Sequence, residues 1–191
     1  MRILIIGGTR FVGRHLVDAA LARRHAVTLF NRGRSNPDLF PQVEKITGDR
    51  EKDLDKLADR IWDAAIDVVG YVPRLVRLSA ESLAGSVSRY VFISSISAYA
   101  DFKKTGIDES YPLAKMPDES TDENDPETYG PRKAVCEQIV RDNYGERALI
   151  VRPGLIVGPH DPTDRFTYWP VRVARGGEVL APDRPEATTQ F

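Results

Sequence analysis

One cysteine, Cys136, is all the chain has. That scarcity excludes an internal disulfide framework and a cysteine-based zinc site, and it fits a reducing, cytoplasmic setting. An excess of either charge is missing as well, with 27 Lys and Arg against 28 Asp and Glu. No basic field therefore draws the molecule onto an anionic membrane, and nucleic acid is an unlikely partner. Long apolar runs are absent: Ile3-Leu4-Ile5-Ile6 is far too short for a signal core or a membrane span and passes straight into glycines. No metal is expected, because the carboxylates lack any metal-ligand spacing. Repeats and low-complexity tracts do not occur. What is present is 191 residues with a hydrophobic fraction of 41%, enough for one sizeable core rather than two independent domains. A small-molecule substrate is the expected partner.

Short apolar runs at residues 3–6, 26–30, 43–46, 66–69, 90–93 and 148–151 read as strands buried on both faces, hence a parallel sheet. Helical stretches alternate with them. Residues 11–23 place Val12, Leu16, Ala19 and Ala20 on one stripe; residues 74–83 follow Pro73 and stop at Gly85; residues 129–144 supply the next long helix. Strand and helix repeated in this way predict an α/β, doubly wound, Rossmann-type fold with its ligands at the carboxyl ends of the strands. Residues 100–128, with nine acidic residues against three lysines and no apolar period, predict a long surface loop.

Gly7-Gly8-Thr9-Arg10-Phe11-Val12-Gly13 joins the first strand to the first helix, where backbone N–H groups and the helix dipole can hold a pyrophosphate. Gly7 allows the tight turn, Gly13 lets helix and strand pack closely, and Thr9 can offer its hydroxyl or N–H to a phosphate oxygen. Arg10 takes the place of the usual middle glycine. At the end of the second strand the carboxylate that accepts the ribose hydroxyls of NAD is replaced by Asn31-Arg32-Gly33-Arg34. An arginine there can pair with a 2′-phosphate, which favours NADP, with NAD as the alternative; the competing reading makes Arg32 and Arg34 solvated loop cations. Asp49 and Arg50 follow the third strand. Asp49 could accept from the adenine amine or could cap the acidic turn at 51–55.

Tyr129 and Lys133 stand one helical turn apart, so a phenol and an ammonium face the same side of their helix. A phenol titrates near 10 in water, and neighbouring cations lower that toward a usable acid or base. The fifth strand ends in Phe92-Ile93-Ser94-Ser95-Ile96-Ser97-Ala98-Tyr99 and delivers hydroxyls to the same sheet edge.

With the glycine turn, the serine strand and the Tyr/Lys helix in this order, the whole chain resembles the extended short-chain dehydrogenase/reductases, the NAD-dependent epimerase/dehydratase family. The resemblance implies that Ser95 polarises the substrate oxygen, with Ser94 and Ser97 flanking it. It also implies that Tyr129 is the acid/base and that Lys133 holds the nicotinamide ribose and tunes the phenol. It places Gly70, Tyr71 and Val72 along the cofactor's ribose and nicotinamide, and Pro153 and Leu155 in the segment that meets the nicotinamide carboxamide and opens the substrate pocket. Leu155 and Val157 depart from the Asn and Tyr usual in the family's sugar-nucleotide enzymes. The glycine turn also looks like that of an atypical branch that includes chloroplast stem-loop RNA-binding relatives. A homodimer on the helices ending near Gly85 and Tyr144 is a further implication.

Residues 1–158 are thus expected to be the dinucleotide-binding domain, and residues 159–191 the truncated start of a substrate-binding subdomain. Arg165 and Trp169 fall where the family builds its substrate lid, although Phe166 and Trp169 could instead pack inward on the sheet. Cys136 reads as a small core residue, His15 and His25 as surface residues and His160 as a turn residue. Thr188-Thr189-Gln190-Phe191 reads as the start of a further extended segment, which makes the chain a fragment. Two functions follow: an NAD(P)-dependent oxidoreductase, epimerase or dehydratase, and a non-catalytic dinucleotide-sensing or RNA-associated module of the same fold.

Overall fold

A computed structural model describes residues 1–116 and 127–180; the expected extended segment at 188–191 lies outside the described residues. Six strands, β1 (Arg2–Ile6), β2 (Ala26–Asn31), β3 (Glu44–Thr47), β4 (Trp62–Asp67), β5 (Val87–Ile93) and β6 (Ala148–Val151), form one sheet in the order β3-β2-β1-β4-β5-β6. Every pairing is parallel. The order reverses between β1 and β4, the switch point at which such sheets open a crevice for ligand.

Alternation along β1 shows how the layers are built. Leu4 and Ile6 face the cluster formed with helices α2 (Pro73–Leu83) and α3 (Tyr129–Tyr144), through Val76, Ala80, Leu83, Cys136, Ile139 and Val140. Ile3 and Ile5 face α1 (Phe11–Ala22) through Val17 and Ala20. The buried stripe of α1 is Gly13, Val17 and Ala20; of the expected Val12, Leu16, Ala19 and Ala20, the last is buried and the other three, half-buried, lie one position off that line. Gly13 decides this, because the helix can press only its glycine side against the glycine turn.

Expected strand 66–69 also needs correction. β4 starts at Trp62 and ends at Asp67, so residues 68 and 69 belong to the loop beyond the sheet edge. Two aspartates disguised the strand. The Arg2 N–H donates to Asp63 Oδ2 at 2.7 Å on the outside, and Asp67 is fully buried at the end.

Among the described residues, β6 is covered on one side only. Ile150 packs against the α2–α3 cluster, whereas Leu149 and Val151 are 46% and 37% exposed on the opposite face. α4 (Tyr168–Ala174) has no buried residue. Phe166 and Trp169, at 44% and 45% exposed, do not turn inward on the sheet as the packing alternative required. No helix among the described residues is long and apolar enough to cross a membrane.

Candidate active site

Backbone geometry shapes the glycine turn. Gly7 and Gly8 adopt φ of 109° and 94°, which L side chains rarely reach. A Cβ on Gly13 would meet Gly8 Cα at 2.8 Å, so the first turn of α1 lies directly on the loop with its N–H groups at the sheet edge. Arg10, exposed, is the residue before the helix; Phe11 and Val12 open it and are half-buried, and Thr9 is buried. Asn31 spends its amide on this turn: Nδ2 donates to the Gly7 carbonyl at 2.8 Å, and Oδ1 accepts from the Gly33 N–H at 2.9 Å. It therefore supports the loop rather than offering a free acceptor to a ribose. Arg32 is exposed. Asp49 serves as the turn cap, its Oδ1 accepting from the Glu51 N–H at 3.0 Å.

Arg50 is a correction to the expected cofactor set. Its guanidinium is buried, pairs with Asp67 and donates to the Val69 carbonyl at 3.3 Å. Asp67 also accepts from the Tyr90 hydroxyl at 3.1 Å and, through Oδ1, from the Val69 N–H at 3.0 Å. A fully buried carboxylate requires such partners, and meeting that demand turns Arg50 into the core. The pair anchors the loop that carries Gly70, Tyr71 and Val72.

That loop meets α3. The Lys133 ammonium donates to the Gly70 carbonyl at 2.8 Å and to the Ile93 carbonyl at 2.7 Å, and lies 4.3 Å from the Phe92 ring centre and 5.5 Å from that of Tyr71. Burial lowers its pKa from the ordinary 10.5 to about 8, even though Cys136, Asp67 and Glu137 pull the other way. Tyr129 opens the same helix. The Tyr71 phenol, 46% exposed, is pushed upward first by burial and then by the nearby Tyr129, with Arg10 opposing. Gly130 rests against the Ser97 carbonyl so closely that any Cβ there would collide with its oxygen. Ser95 caps the short turn Ile96–Ala98, its hydroxyl donating to Ser97 Oγ at 3.1 Å and accepting from the Ser97 N–H at 3.1 Å. Tyr129, Lys133, Gly70, Tyr71 and the Ser95–Ser97 hydroxyls thus gather at the carboxyl ends of β4 and β5.

Beside them runs a buried clamp that no spacing announced. Glu137 accepts from Ser94 Oγ at 2.5 Å and from the Arg152 guanidinium at 2.9 and 2.6 Å, while Arg152 lies 4.8 Å over the Tyr99 ring. It ties α3 to the ends of β5 and β6. The available signal was a charged residue one turn beyond Lys133 on a helix that had to be buried. Pro153 accepts from the Ile96 N–H at 3.0 Å, which holds the segment after β6 against the serine turn. Val72 precedes α2 and Leu155 is half-buried. Arg165 and Trp169 are exposed, and Arg165 donates to Thr163 Oγ1 at 2.8 Å. The structure does not bring these last two to the cluster.

A parallel sheet with a glycine turn at its switch point and a Tyr/Lys helix at the same edge defines a dinucleotide-binding protein. Residues 3–72 match the NAD dependent epimerase/dehydratase family, and residues 63–176 match the family described as male sterility protein. The chain belongs to the NAD-dependent epimerase/dehydratase family, the extended short-chain dehydrogenases/reductases. It is 27% identical to the chloroplast stem-loop binding protein of 41 kDa b of Arabidopsis thaliana, over 91% of this chain and 47% of that protein. To the 2′-dehydrokanamycin reductase of Streptomyces kanamyceticus it is 28% identical, over 82% of this chain and 43% of the other. The chain spans under half the length of these curated relatives. A crystal structure of UDP-galactose 4-epimerase superposes with a TM-score of 0.70 at 23% identity, over 94% of this chain and 65% of that one, a likeness of fold.

Proposed function

We propose that the chain is the dinucleotide-binding part of an NADP-dependent oxidoreductase, epimerase or dehydratase acting on a substrate carbinol or carbonyl carbon. One observation carries the reading: the buried Lys133 ammonium, held by Gly70 and Ile93, sits one turn from Tyr129 at the sheet edge where the serine turn ends. A structural lysine gains nothing from such burial that an apolar side chain would not supply.

The turn fits a pyrophosphate, since the positive φ of Gly7 and Gly8 and the close seat of Gly13 on Gly8 bring the first N–H groups of α1 to the sheet edge. Gly7, Gly8, Thr9, Arg10, Phe11, Val12 and Gly13 would hold that group, with Gly70, Tyr71, Val72 and Pro153 along the other half of the dinucleotide. The missing carboxylate after β2, and Arg32 and Arg34 in its place, support NADP over NAD. When bound, the nicotinamide supplies the hydride donor or acceptor. Tyr129 exchanges the proton of the substrate oxygen, Ser95 donates a hydrogen bond to that oxygen, and Lys133 stabilises the phenolate by its charge.

The stem-loop binding relative supports a second reading, an RNA-associated module. Titration with NADP, NAD and a stem-loop RNA separates the two. Dinucleotide binding that is saturable and only weakly salt-dependent is expected, and RNA binding with a steep salt slope and no dinucleotide binding would replace the first reading with the second.

A further inference from the structure

The segment after β6 folds back over the first turn of α1. His15 Nε2 lies 2.8 Å from the Pro159 carbonyl and donates to it, and the His15 and His160 ring centres are 5.9 Å apart. This return leaves a cavity of about 270 Å³ bordered by Thr9, Arg10, Arg14, Asn36, His160 and Pro162. Arg10, the residue before α1, and Arg14, in its first turn, both border it. Arg14 Nη1 is 3.4 Å from His160 Nδ1, which sets the guanidinium beside the imidazole.

The wall is cationic and has no balance. None of the residues that line the cavity is a carboxylate, and among the described residues neither Arg10 nor Arg14 makes an ion pair. Like charges on one cavity wall repel, and an anion between them relieves that repulsion. Position identifies the anion. Thr9 and Arg10 belong to the turn that fits the pyrophosphate. Asn36, whose Nδ2 donates to the Thr9 carbonyl at 2.8 Å, belongs to the loop beyond β2, the strand end that faces the adenosine ribose in this fold. The group between those two places is a phosphate on the ribose 2′-position, and an arginine fork matches a phosphate better than any other side chain does.

We propose that Arg14 and His160, with Arg10 at their edge, recognise the 2′-phosphate of NADP, so that cofactor selection depends on a residue from the segment after β6 as well as on the loop after β2. The inference rests on the NADP reading above. Its test is a titration of the full chain with NADP and NAD, for the wild type and for Arg14→Gln, His160→Gln and Arg32→Gln, repeated with adenosine 2′,5′-bisphosphate against AMP. The wild type is expected to bind the 2′-phosphorylated member of each pair more tightly. R14Q and H160Q are expected to lose roughly tenfold of that affinity, the scale of one charge-assisted hydrogen bond, with NAD and AMP unchanged. R32Q is expected to weaken the 2′-phosphorylated ligands too, by no more than R14Q does. Equal losses on both dinucleotides, or no loss in either R14Q or H160Q, overturns the proposal. Unfolding curves for both variants that match the wild type separate lost recognition from lost folding. Wild-type binding of NAD without preference for NADP sinks this inference and the choice of NADP but leaves the oxidoreductase reading, whereas binding of neither dinucleotide sinks that reading as well.

Discussion

At the scale of single residues, Tyr129 and Lys133 are close in sequence but differ in what their loss should do. Tyr129→Phe removes one oxygen from a side chain that makes no hydrogen bond among the described residues. NADP affinity should stay within about twofold while turnover falls by roughly two to four orders of magnitude, as expected for a lost general acid. A stopped-flow titration paired with a steady-state assay checks both halves. Lys133 carries a pH signature. Its folded value of about 8 lies below the unfolded 10.5, so the unfolded chain binds more protons between those values. The contribution of this group to stability is therefore poorest below about 8 and rises toward 10.5. Under the proposed function turnover should move the opposite way, falling above about 8 as the Lys133 ammonium is lost. Chemical denaturation and kcat/KM measured across pH 7 to 11 check the divergence, and Lys133→Met should lack the stability trend.

At the scale of elements, α3 holds Arg132, Lys133 and Glu137 in its buried face. Removing one partner of the Glu137–Arg152 pair leaves an uncompensated buried charge, so Glu137→Leu should cost about 3–5 kcal/mol, and the double replacement Glu137→Leu with Arg152→Leu distinctly less. Urea unfolding of the two variants checks this. The same helix shows what the sequence could and could not disclose. Its ends at 129 and 144 and its Tyr/Lys pair were legible because they depend on local spacing. The clamp was not, because Glu137 meets Ser94 and Arg152 only after three separated segments have packed together. β4 was misplaced for a related reason: Asp63 and Asp67 look like loop residues until the Arg2 N–H and the Arg50 guanidinium appear opposite them. Arg50 read as a ligand contact because it follows a strand end, and long-range pairing with Asp67 decided otherwise. The fold class and the glycine turn needed no such information, since periodicity and the demands of backbone torsion are written locally.

At the scale of the whole molecule, the sheet is asymmetric. Leu149 and Val151 leave one face of β6 open, and Tyr168 and Trp169 add exposed aromatic surface at 52% and 45%. Apolar side chains left exposed on these two elements favour association. Light scattering on the 191-residue chain is expected to show concentration-dependent self-association, which Leu149→Lys with Val151→Lys should reduce; a strictly monomeric wild type would contradict it.

The contact between Gly130 and the Ser97 carbonyl has a consequence for how such proteins can be recombined. The spacing of Tyr129 from the serine turn is set by the absence of a side chain at residue 130, and Lys133 is set by carbonyls of residues 70 and 93. All of these lie in one continuous stretch of chain ahead of the segment that would meet substrate. A foreign substrate-binding segment grafted after residue 158 should therefore inherit the Tyr129–Lys133 arrangement without readjustment, whereas Gly130→Ala should shift it in every such hybrid alike. Turnover of matched hybrids with glycine or alanine at 130 would show whether the chemistry travels as an interchangeable cassette.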